Sequence, residues 1–99
     1  MTDLYTKIIT LDNRKTSMRL AKAEWEAVEL ICDKENLNRK SLIEMIAQAK
    51  DARISLTSAV RLFAIVYFYQ TQKIKDMPKY SSLQTQEEEP IFRAIRSII

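Results

Sequence analysis

Lys15-Thr16-Ser17-Met18-Arg19-Leu20 is the stretch that decides the fold. Along an extended chain Thr16, Met18 and Leu20 point one way, and Lys15, Ser17 and Arg19 the other. A period of two marks a strand with one face on a core and one face free. Upstream, Lys7 to Leu11 is rich in β-branched residues and reads as a second short strand. Asp12-Asn13-Arg14 between them is turn chemistry, because Asp and Asn hydrogen-bond their own backbone and tolerate left-handed dihedrals. The two strands are therefore candidates for an ordinary hairpin.

Downstream the period changes to that of a helix. From about Lys22, Trp25, Val28, Ile31 and Cys32 fall on one face, and Glu24 and Glu26 suit the positive end of the helix dipole. The helix is expected to stop near Glu35-Asn36, with Asn36 in the left-handed position usual for glycine. Asn38 is a good N-cap for a second helix to about Lys50, with Leu42, Met45, Ile46 and Ala49 as its apolar stripe. Asp51-Ala52-Arg53 breaks the pattern. Ser55 or Thr57 then caps a third helix reaching about Gln72. Its segment Ala59 to Tyr69 has Arg61 as its one charge, and a helix apolar all round wants burial on every side. That predicts the central helix of an oligomeric core.

Three regions follow: 1–76, a folded domain; 77–90, a linker carrying Pro78 and the acidic Glu87-Glu88-Glu89; and 91–99, a short amphipathic segment with Ile91, Ile95 and Ile98 on one side. Pro90 suits the start of a helix.

Composition removes several functions. The chain has 99 residues and no glycine, so a glycine-rich phosphate loop or dinucleotide fingerprint is absent. It has no histidine, the commonest general base and metal ligand. Cys32 is the single cysteine, with no partner for a disulfide and none for a thiolate metal site. No catalytic pair is assembled, and no catalytic residue, metal or cofactor is expected. Met1 to Leu11 has no apolar run of signal length, and no uninterrupted run is long enough for a bilayer, so the expected location is cytoplasmic. A formal charge of +3 and a pI near 9.1 lean towards a polyanionic partner.

An alternating strand followed by two helices joined through Asn36-Leu37-Asn38 resembles the ribbon-helix-helix family of DNA-binding proteins. The resemblance rests on Lys15-Thr-Ser-Met-Arg-Leu20 and on Asn36-Leu-Asn-Arg-Lys-Ser-Leu-Ile43. A further helix like the third one here is similar to that of an extended branch. The resemblance implies a mainly α fold with a short β-ribbon, an intertwined homodimer or higher homo-oligomer, with one strand from each subunit paired antiparallel. It implies double-stranded DNA as the partner, read in the major groove by Lys15, Ser17 and Arg19. Phosphate would be held at the start of the second helix by Asn38, Arg39, Lys40 and Ser41, where free backbone N–H groups favour an anion. Met18, Leu20, Trp25, Phe63 and Tyr67 are the residues expected at the dimer interface.

The function expected on this basis is a repressor-like, sequence-specific transcriptional regulator. The alternative is an antitoxin or protein-interaction module on the same dimer fold, with the C-terminal segment taking a protein partner. In an interaction module the strand residues Lys15, Ser17 and Arg19 would be covered, by Lys7 to Leu11 or by another subunit.

Overall fold

A computed structural model describes residues 3–76 and 89–99 of the chain. Most of the expected linker lies outside them. Its last residue, Pro90, is already helical, with Glu89 as the N-cap.

The ribbon is a hairpin within one chain. Strands β1 (Leu4–Leu11) and β2 (Arg14–Ala21) pair antiparallel, with Leu11 opposite Arg14 and Leu4 opposite Ala21. Asp12 and Asn13 close the loop at φ 49° and 64°. Two successive left-handed residues make the turn whose twist matches that of the strands, and Asp and Asn are the non-glycine residues that accept it most readily. Directly opposed residues share a face. The register therefore sets Ile9, Met18 and Leu20 on the inner face, all three buried.

Helix α1 (Lys22–Glu35) follows without a loop. Ala21 has no side-chain oxygen to cap it. Glu24 reaches back instead, and its Oε1 accepts from the Ala21 backbone N–H at 2.8 Å. The helix ends as its chemistry predicts: Asn36 is left-handed at φ 57°, and the Leu37 N–H bonds to the Cys32 carbonyl at 2.9 Å. Helix α2 (Arg39–Ala49) starts at Asn38, whose Oδ1 accepts from the Ser41 N–H at 2.7 Å.

Ser55, of the two candidates, caps helix α3 (Leu56–Asp76), taking the Ser58 N–H at 3.0 Å. Helix α4 (Pro90–Ile98) lies against α3 and α2. The Ile98 carbonyl accepts from the Asp51 N–H at 2.6 Å, and Ala94 and Ile98 are fully buried. The stripe Ile91, Ile95, Ile98 is thus spent on the chain's own core.

Leu20, Val28, Ile31, Leu42, Ile43, Ile46, Val60 and Phe63 fill the centre of the fold. Burying each large side chain contributes about 1.5–3 kcal/mol relative to leaving it exposed. Tyr67 stacks near Phe63 and meets Phe68 edge-on, and its hydroxyl donates to Glu35 Oε2 at 2.6 Å. Burial first, then that carboxylate, push the Tyr67 phenol well above its ordinary pKa.

Met18, Leu20, Trp25, Phe63 and Tyr67, expected at a subunit interface, are covered within the single chain, none more than 4% exposed. Helix α3, expected as the central helix of an oligomeric core, keeps one apolar stripe open in the single chain: Leu62, Ile65 and Tyr69, with Ile65 and Tyr69 about two-thirds accessible at 67% and 68%. Arg61, the one charge of the Ala59 to Tyr69 segment, is met by Glu24: its Nε lies 2.7 Å from Glu24 Oε2, an ion pair outside hydrogen-bond geometry that ties α3 to the start of α1. Among the described residues no helix is long and apolar enough to cross a membrane.

Candidate nucleic-acid interface

The outer face of the hairpin carries Leu4, Thr6, Ile8 and Thr10 from β1 and Lys15, Ser17, Arg19 and Ala21 from β2. Lys15, Ser17 and Arg19, the residues expected to read bases, are all exposed. Each has a neighbour across the ribbon: Thr10 opposite Lys15, Ile8 opposite Ser17, Thr6 opposite Arg19. The Arg19 Nε–H reaches Thr6 Oγ1 at 3.4 Å, a long contact that leaves most of the guanidinium's donors free. No acidic residue stands on this face, and Lys7, Arg14, Lys15 and Arg19 are opposed in the ribbon by Asp12 alone. The hairpin pairs along one edge and covers neither of its own faces.

Sequence reasoning missed β1's share of this surface. Thr6, Ile8 and Thr10 belong to it because the register fixes which β1 side chains stand beside those of β2. The signal was the approximate alternation through Thr6 to Thr10, blurred by an outward isoleucine.

The start of α2 sits beside the ribbon, and Trp25 joins them. Its indole N–H donates to the Tyr5 carbonyl at 2.8 Å. Lys7 Nζ from β1 stands 5.4 Å from the ring centroid, and Arg39 Cζ from the first turn of α2 stands 5.8 Å from it. Both are within cation–π range. Arg39 is also held by Glu29, Nη1 to Oε1 at 3.3 Å, with both side chains partly exposed. Such a pair is worth little in water and releases its cation readily to a stronger anion.

Of the four residues expected to hold phosphate, Asn38, Lys40 and Ser41 are exposed and Arg39 is half-buried in these contacts. The Ser41 N–H is occupied by the Asn38 cap, and the Leu42 N–H bonds to the Asn38 carbonyl at 3.1 Å. The backbone donors left over by helix geometry are those of Arg39 and Lys40. The arrangement therefore offers two N–H groups, the positive end of a helix dipole and the Lys40 ammonium.

Beside the same tryptophan, Tyr5, Lys7, Lys22, Trp25, Glu26, Glu29, Leu30 and Asp33 line an open groove of about 660 Å³.

A ribbon carrying a cationic outer face, followed by two helices with an anion-ready turn between them, is the architecture of the ribbon-helix-helix class. The family model described as the ribbon-helix-helix domain matches residues 4–68, and the chain belongs to that family. The matched span takes in β1 as well as β2. No curated protein and no solved structure matches the chain. Ribbon-helix-helix domains are in general those of DNA-binding regulators and antitoxins, and they typically bind DNA as dimers.

Proposed function

We propose that this chain is a sequence-specific DNA-binding regulator of transcription, repressor-like, that places the outer face of its ribbon in the major groove as a homodimer. The observation that carries this is the exposed, acid-free face on which Lys15, Ser17 and Arg19 stand in a row. Arg and Lys donate to guanine O6 and N7, and Ser pairs with several base edges. The first turn of α2 then grips phosphate and fixes the register of the ribbon, without itself reading sequence. The role is one of binding, with no catalytic step.

Each chain carries its own two-stranded β1–β2 ribbon, the width that the major groove admits. Two copies about a twofold axis present every outward residue twice, once in each half-site.

The interaction-module alternative needed the ribbon residues covered, and in the chain they are open. The antitoxin alternative drew on a C-terminal segment free to wrap a partner. The apolar face of α4 is committed to α3 and α2.

The deciding experiment is a titration of the protein against the DNA upstream of its own gene and a scrambled duplex of the same composition, at two salt concentrations. The expected result is a preference for the specific duplex that persists as salt rises, with a sedimentation mass of twice the chain. Equal affinity for both duplexes at every salt concentration would refute the proposal.

A further inference from the structure

Ile8 is a large apolar side chain at the centre of the outer ribbon face, among the polar residues, whereas Leu4 and Ala21 stand at its far end. The isoleucine is 62% exposed, at the middle of β1, directly opposite Ser17 and flanked along its strand by Thr6 and Thr10. An outward strand position facing water favours a polar residue, since an exposed large apolar side chain gains nothing from folding. Here the two threonines obey that rule and the isoleucine between them breaks it. Strand propensity alone does not account for it, because threonine is β-branched too. The inner face is filled by Ile9, Met18 and Leu20, so Ile8 has no route into the core of its own chain.

Resting on the proposed function, we infer that Ile8 is a specificity residue that packs against the C5-methyl group of a thymine in the major groove. The partner's chemistry follows from the neighbours. Lys15 and Arg19 stand on the same face with no acid among them, so the surface is complementary to a polyanion. In the major groove of DNA the thymine methyl is the apolar feature of the base edges. A side chain offering only methyl and methylene groups, held between residues that donate hydrogen bonds, distinguishes thymine from cytosine without a polar contact. β1 thereby joins β2 in reading sequence, which widens the readout beyond the three residues of one strand.

The test isolates a single methyl group. A duplex pool with a randomised centre is selected with the wild-type protein, and each thymine of the selected site is then replaced singly by deoxyuridine, which removes the C5-methyl and nothing else. For wild type, at least one replacement is expected to weaken binding about three- to fourfold, the worth of one methyl group withdrawn from apolar contact. Ile8→Ser, which leaves no methyl group at the position, is expected to bind the thymine and deoxyuridine duplexes equally. Ile8→Val is expected to retain part of the discrimination, and supplies the comparison should Ile8→Ser not fold. If the wild type selects no sequence, this inference and the proposed function fall together. If it selects a site but no replacement separates wild type from Ile8→Ser, the methyl contact is wrong and DNA reading by Lys15, Ser17 and Arg19 stands. A fall in sedimentation mass of Ile8→Ser also overturns the inference, because Ile8 is then covered by a second copy of the chain.

Discussion

Asn38 is the place where stability and DNA affinity can be driven in opposite directions by one atom. Its side-chain oxygen takes the Ser41 N–H at 2.7 Å, so Asn38→Ala removes a formed cap and leaves that donor to water. The loss expected is about 1 kcal/mol, which in a domain of this size lowers Tm by roughly 4–8 °C. Asn38→Asp keeps an acceptor in the same place and adds a negative charge at the positive end of the α2 dipole, a gain of about 0.3–1 kcal/mol. Stability is therefore expected to rank Asp above Asn above Ala. Affinity for DNA is expected to behave otherwise, on the hypothesis that the first turn of α2 holds a phosphate. A carboxylate about 6 Å from a phosphate in a medium nearly as polar as water costs about 1 kcal/mol, or roughly fivefold in affinity per site. This penalty shrinks as salt approaches physiological strength, where the screening length is about 8 Å. Thermal melting and fluorescence-anisotropy titrations at two salt concentrations measure both quantities on the same samples. If Asn38→Asp binds as tightly as wild type at low salt, no phosphate sits at this helix start. If it melts no higher than Asn38→Ala, the cap is not the interaction that matters there.

Three further outcomes are expected. Arg19→Ala loses about 1–3 kcal/mol on the specific duplex and moves the specific-to-scrambled ratio towards one, whereas Lys40→Ala weakens both duplexes evenly and flattens the salt dependence. An unchanged ratio in folded, dimeric Arg19→Ala would sink the base-reading role. At the α1 terminus, where Asn36 sits at φ 57°, Asn36→Ala is expected to lose about 1 kcal/mol in urea unfolding and Asn36→Gly to lose nothing; equal midpoints for the two variants would contradict this. The Tyr67 phenol has a raised folded-state pKa, so its proton stabilises the fold fully below the ordinary tyrosine value of about 10 and less as pH climbs past it. Tyr67→Phe is expected to be less stable at neutral pH, having left Glu35 without its donor, yet to lose less on raising the pH; parallel pH profiles for the two proteins would count against the raised pKa.

Much of this is legible in the sequence, and the reasons are local. The alternation of β2, the left-handed Asn36, the Asn38 cap and the stripe of α4 are each written within a few consecutive residues. What was hidden depends on residues far apart in the chain. β1 reaches back to Leu4, but with Lys7 pointing inward and Ile8 outward its pattern does not show which face is which. Nothing local shows that Arg39 is held by Glu29 ten residues earlier, or that Trp25 stands between cations from two elements. An all-apolar helix announces that it wants neighbours but not how many a single chain supplies, and here Ile65 and Tyr69 are left open by the chain's own residues. The partner of β2 was open for the same reason: a strand's sequence shows its faces and is silent about its edges.

Trp25 also turns the molecule into its own reporter. It is the chain's single tryptophan, so its emission has no background from another indole. The two cations over its ring come from the two elements that the proposed DNA contact involves, Lys7 from the ribbon and Arg39 from the first turn of α2. Indole emission shifts with the electric field across the ring, and a phosphate that draws either cation away changes that field. Docking is then visible as a change of colour in unlabelled protein, and replacing Lys7 or Arg39 one at a time tells which end of the interface arrived.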